Sequence, residues 1–196
     1  MTSQTAQHIL NFWFGNPAAP ATEYGQQRDI WFKKNQAFDQ QVRQQFLAVY
    51  EQARQGADAD WTQTPRGALA LTVLLDQFPR NMFRGTPQSF ATDGQALAIA
   101  QSAVAQGRDR FLLPVERLFF YLPFEHSENI AHQNQAVALF EALVQAAPEL
   151  QSTLDYAYRH RDVIARFGRF PHRNAILGRE STPEEEAFLQ QPGSRF

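Results

Sequence analysis

The chain has 196 residues, 43% of them hydrophobic, with 17 Phe, three Trp and a formal net charge of −2 at pH 7. That is enough for one domain over 1–196 with a real core, and it argues against a general nucleic-acid coat, which needs a basic surface. The absence of cysteine excludes disulfides, thiolate-bound zinc and iron–sulfur sites.

The dominant period is helical. Ile9, Phe12 and Trp13 share one side of a first helix that stops near Gly15, and Asn16–Thr22, with two prolines, is a break. Phe38, Val42, Phe46 and Val49 then recur at three- and four-residue steps in a helix ending at Gly56. Thr64-Pro65 pairs a cap with proline at the first helical position and opens an almost fully apolar helix. That helix is expected to stop near Phe78, because Pro79 disfavours helical geometry in the residue before it. Further helices are predicted over Asp93–Gly107, from Pro114 until Pro123 ends or kinks it, over Ser127–Ala146, and from Pro148 to about Phe167. Thr182-Pro183-Glu184-Glu185 matches a capping box that opens a short last helix. Strand-like alternation is absent, so the expectation is an all-α fold of about eight or nine helices.

The longest apolar run, Ala68–Leu75, is too short to cross a bilayer, and the first residues lack the pattern of a secretory signal. A cytoplasmic location with no membrane partner is the expectation.

Charge is unevenly placed. Residues 159–179 hold six arginines and one acid, Asp162, formally +5, which leaves −7 for the remainder. Only Lys33 and Lys34 among the 18 basic residues are lysine, and the planar arginine fork suits carboxylates and phosphates.

Three segments break the rule of polar outside and apolar inside. In L-L-D-Q-F-P-R-N, Asp76 and Gln77 end a buried helix, and Arg80 and Asn81 follow the proline; Arg80 suits a helix C-terminus and can pair with Asp76. In Y-L-P-F-E-H-S-E, Glu125, His126 and Glu128 crowd a helix junction, and His126 has the chemistry of a general acid or base. Glu128 and His132 stand four residues apart, but such pairs are common by chance and no H-E-x-x-H accompanies them, so no metal is assigned. In Tyr158–Asn174, His160 precedes a helix end bracketed by Arg166 and Arg169, and His172, Arg173 and Asn174 follow Pro171. Converging guanidiniums repel one another unless acids or an anion lie between them. Two readings follow: a salt-bridge network with Asp76, Glu125, Glu128 and Asp162 as internal partners, or an anion pocket.

His160-Arg161-Asp162 spells a kinase motif, but Phe167 stands where the metal-binding Asn would be, and no glycine-rich loop accompanies it. Hydrolase, P-loop and dinucleotide signatures are missing, and no cofactor is assigned.

The segments F-W-F-G, L-L-D-Q-F-P-R-N-M-F-R-G, A-T-D-G-Q-A-L-A-I-A, Y-L-P-F-E-H-S-E and R-F-G-R-F-P-H-R-N-A-I-L-G-R-E-S-T-P-E-E resemble a bacterial family, the domain of unknown function numbered 924. The resemblance runs from about Ile9 to Phe196 and implies an α-superhelix of the tetratricopeptide-like type, with an irregular helical bundle as the alternative. It carries no activity and no catalytic residue. The family usually has an acid where this chain has His132, which weakens a metal further.

The leading expectation is a site for an anionic small molecule, phosphorylated ones included. Arg80, Arg166, Arg169 and Arg173 would grip the anion beside Asn81 and Asn174. His126, His160 or His172 would exchange protons, and Glu128 and Asp76 would orient them. The second is a tetratricopeptide-like groove for acidic peptides. RNA contact through the arginines and Tyr158, Phe167 and Phe170 ranks last, since these aromatics also fit core spacing.

Overall fold

Pro79, expected to end a helix, lies inside one. The computed structural model describes residues 3–19 and 24–194, and within them helix α3 (Pro65–Thr72) runs through a π-helical turn (Val73–Gln77) directly into α4 (Phe78–Met82). The π turn passes the Phe78 N–H to the Val73 carbonyl. An ordinary helix would have bonded residue 79 to the Leu75 carbonyl, and proline has no N–H to give. The Thr92 hydroxyl fills the gap, donating to Leu75 O at 2.5 Å. The helix therefore continues, and it carries Asp76 and Arg80 on one rigid rod.

The other elements are α1 (Gln4–Phe14), α2 (Gln36–Ala53), α5 (Asp93–Ala105), α6 (Pro114–Glu125), α7 (Ile130–Ala146), α8 (Gln151–Phe167) and α9 (Pro183–Leu189). No strand occurs among the described residues, so the fold is all-α. The predicted caps at both Thr-Pro pairs are present: Thr64 accepts from Gly67 N, and Thr182 and Glu185 form a reciprocal capping box. Pro123 does not end α6, which runs on to Glu125. Asn129, not Ser127, caps α7. In α2 the buried position is Tyr50, with Val49 half-buried beside it. Of the first loop, residues 20–23 lie outside the described part.

The core is aromatic. Trp13 is fully buried and meets Phe119 edge-on at 5.6 Å, and Phe46 lies 4.7 Å from Phe78. Replacing such a ring by alanine costs about 3–5 kcal/mol. The rod α3–α4 packs against α1, α2, α5 and α6, while α7 lies between α6 and α8. A smaller cluster of Val163, Ile164 and Phe170 sits apart, with Phe167 and Phe188 against it. No helix among the described residues is long and apolar enough to cross a membrane.

Candidate functional site

The end of α6 and the middle of the α3–α4 rod meet at a cavity of about 550 Å³. Its walls mix apolar side chains, among them Phe90, Leu118 and Leu122, with polar ones such as Gln27, Ser89 and Ser152, and its polar floor holds Arg80, Glu125, His126, His160, His172 and Arg173. The volume lies within the range of small-molecule sites, roughly 300–1,000 Å³.

Each polar group arrives on a defined element. Asp76 lies in the π turn with no exposed surface, and its Oδ1 accepts from His126 Nδ1 at 2.8 Å. Burial alone would raise its pKa. Arg80 and His126 outweigh that and hold the carboxyl at about 2. Arg80 bonds the Asp76 carbonyl, stands 3.6 Å from its carboxylate, and grips Asp93, the first residue of α5, through two bonds of 2.9 and 3.1 Å.

With Nδ1 donating to an ionised carboxylate, His126 keeps Nε2 as an unprotonated acceptor. Burial and Arg80 push its pKa down, against the upward pull of Asp76, so the ring is neutral at pH 7. His160, on α8, points Nδ1 at Tyr156 O (2.9 Å) and Glu125 Oε1 (3.0 Å). A carbonyl can only accept, so this nitrogen carries the proton. Burial holds His160 well below the usual imidazole range and His172 at about 4.

Glu125 is unlike the other acids. It is 3% exposed, burial and the negative charge of Asp76 raise its pKa to about 8, and its Oε2 has no hydrogen-bond partner among the described residues. Its neighbour in sequence is thus a proton acceptor while it is itself a neutral acid. Environments that drive two groups apart in this way define an acid and a base.

Arg173 follows the left-handed turn at Gly168 and a short 3₁₀ turn over Pro171–Arg173. Its guanidinium lies 4.6 Å from the ring centres of both Phe90 and Phe170. The closest carboxylate, Asp93, is 3.5 Å away and already engaged by Arg80, and the Arg173 Nε is buried without a partner among the described residues. Burial and then Arg80 bring its pKa down to about 10.

Of the residues singled out from sequence, Arg80, Asn81, His126, His160, His172 and Arg173 line the cavity, and Asp76 stands directly behind His126. Asn81 is also tied to Asp39, donating at 2.7 Å. Glu128, Arg169 and Asn174 do not line it, because each is consumed in a separate brace. Arg179 clasps Glu128 through bonds of 2.7 and 2.9 Å, and Phe170 N donates to the same carboxylate at 2.8 Å. Arg169 clasps Glu185 at 2.6 and 2.8 Å, and Asn174 reaches Glu185 and Ser181. The Arg169 hydrogen bonds bring Glu185 to about 2. Arg166 is exposed over Phe167, beside a shallow cavity of about 260 Å³ near α9. Phe170 is fully buried, which removes it from a nucleic-acid stacking surface.

Asp93 and Phe90 escaped the sequence reading, since a first-turn aspartate and a lone Phe carry no signal. Glu125, expected from sequence as an internal partner of the arginines, lines the cavity instead; its place was legible, three and seven residues after Leu122 and Leu118 on the buried face of α6. Among the described residues no group of three His, Asp or Glu is arranged to hold a metal ion.

A family described as a bacterial protein of unknown function (DUF924) matches residues 9–193. The chain is 41% identical to a solved structure of a protein of unknown function from Agrobacterium tumefaciens, covering 95% of this chain and 97% of that one, with a TM-score of 0.82. No curated protein matches.

Proposed function

The chain belongs to the DUF924 family, and we propose that its cavity binds a small anionic molecule and acts on it by acid–base chemistry. One observation carries this reading. A buried Asp76–His126 pair of 2.8 Å opens onto a cavity of about 550 Å³ whose floor also holds Arg173, a buried cation that shares Asp93 with Arg80 and whose Nε has no hydrogen-bond partner among the described residues. Asp76 fixes the tautomer of His126, so its Nε2 is the proton acceptor. Arg173, with Arg80 behind it, supplies the charge that orients the anion. Glu125 is the acid that returns a proton.

A closed set of polar groups at the floor of a cavity suits a small ligand better than an extended one. The groove for acidic peptides that a tetratricopeptide-like superhelix would bring has no comparable observation in its favour. A cytoplasmic setting suits such a ligand.

Thermal melting of the wild type against a panel of small carboxylates and phosphates tests the reading. At least one class should raise the melting temperature, by about 2.7 kcal/mol of stabilisation at a hundredfold excess over Kd, and Arg173→Met should abolish the shift. His126→Gln should keep binding and lose turnover of the ligand so identified. If no small anion shifts the wild type, the reading fails.

A further inference from the structure

The charge around the cavity floor limits what it can hold. Arg80 is already answered by two carboxylates, Asp76 and Asp93. Arg84, also on the rim, is taken by Asp39 through bonds of 2.8 Å. His126, His160 and His172 are all pushed toward the neutral form by burial. That leaves Arg173, whose one carboxylate within 4 Å among the described residues is 3.5 Å away and shared, with Glu128 and Asp76 acting from farther off. A single negative charge would complete it. A second would lie near Asp76 and Asp93 in a poorly solvated space, where like charges are costly.

The state of Glu125 adds a second constraint. Asp76 faces it from the π turn, His160 from α8, and His126 follows it at the C-cap of α6; Arg80, His172 and Arg173 share the floor. No arginine among the described residues forms an ion pair with it, and its one basic neighbour within 4 Å among them is His160, itself held neutral by burial. His160 Nδ1, whose proton goes to Tyr156 O, faces Oε1 at 3.0 Å. A proton on the carboxyl therefore belongs on Oε2, the oxygen that lacks a partner. Such a group is a hydrogen-bond donor awaiting an acceptor. The remaining lining sets Phe32, Leu118, Leu122, Tyr156 and Ile176 among polar side chains such as Gln27, Ser89 and Ser152, so it offers apolar surface to a ligand body without being wholly apolar.

Resting on the function proposed above, we infer that the ligand is a monocarboxylic acid with an apolar body, its carboxylate paired with Arg173 and one of its oxygens accepting a hydrogen bond from protonated Glu125. Monophosphate esters and dicarboxylates carry the second charge that Asp76 and Asp93 oppose.

Calorimetric titration with phenylacetate, 4-methylpentanoate, phenyl phosphate and glutarate tests this at pH 6.5. The two monocarboxylates should bind at least tenfold more tightly than the phosphate ester or glutarate. Above pH 8, ionisation of Glu125 removes the donor and adds a repelling charge, so monocarboxylate affinity should fall by up to tenfold per pH unit. In Glu125→Gln, which keeps a donor and cannot ionise, that fall should vanish. Arg173→Lys, which keeps the charge and loses the fork, should weaken binding, and Arg173→Met should abolish it, with melting curves showing both folded. Tighter binding of phenyl phosphate or glutarate overturns the monocarboxylate assignment and leaves the anion site standing. An unchanged pH profile in Glu125→Gln overturns the role of Glu125. No binding by any of the four overturns the anion site itself.

Discussion

Two arginine-rich regions lie side by side here, and they are built on opposite terms. In the C-terminal brace each guanidinium meets a whole carboxylate: Arg169 with Glu185 and Arg179 with Glu128, both bidentate. In the cavity, among the described residues, Arg173 shares one carboxylate at 3.5 Å and leaves Nε unbonded, while Glu125 has no arginine or lysine partner. Bidentate pairs with their remaining oxygens satisfied stabilise a fold, whereas a buried charge left incomplete lowers stability until something completes it. The contrast separates the arginines that brace the fold from the one assigned above to the proposed ligand, although both draw on the same stretch of sequence.

The largest effect expected from this contrast is on binding. Arg173→Met should remove small-anion binding by at least about a hundredfold, on the order of 2.7 kcal/mol, when titrated calorimetrically. Glu185→Gln in the brace should leave binding within about twofold, a difference well below 1 kcal/mol.

Stability should respond the other way. Glu185 accepts from both Arg169 nitrogens, Asn174 and the backbone of Thr182. Glu185→Ala should therefore cost about 2 kcal/mol by urea unfolding, since each net hydrogen bond is worth roughly 1 kcal/mol and Arg169 can recover water. Acid should do the same work. The folded pKa of Glu185, about 2, lies below the usual 4.5. Its contribution is then complete above pH 4.5 and is lost as pH falls toward 2, so the acid limb of the wild-type stability curve should shrink in Glu185→Ala.

Glu125 runs in the opposite direction. Its folded pKa of about 8 exceeds 4.5, so the unfolded chain ionises first and stability drains as pH rises from 4.5 to 8. The stability of Glu125→Gln relative to wild type should increase with pH across that window, by up to about 1.4 kcal/mol per unit. The smallest effect is at Ser181, which accepts one hydrogen bond from Asn174; Ser181→Ala should cost about 1 kcal/mol or less.

The helices were largely legible from sequence because caps and apolar spacing are local signals. Thr64-Pro65 and Thr182–Glu185 mark helix starts that the structure has. Pro79 misled because its cost depends on a distant partner: Thr92, 17 residues beyond Leu75, supplies the bond that proline cannot. The site was partly legible. Asp76, Arg80, His126, His160, His172 and Arg173 were recognised as a polar group and do converge. Their division from Glu128, Arg169 and Asn174 was not, since Glu125 and Glu128 are three residues apart and differ only in which side of a helix junction they occupy. Charge density marks where arginines gather, and only the fold tells which of them have found a carboxylate.

The most direct test of that division needs no ligand. Arg169→Met and Arg173→Met can be compared with wild type by equilibrium urea unfolding at pH 7. Loss of the brace should lower the midpoint clearly in Arg169→Met, whereas removing the incompletely paired Arg173 should leave the midpoint unchanged or raise it. An Arg173→Met midpoint that falls as far as that of Arg169→Met would contradict the account, making both arginines parts of one structural network.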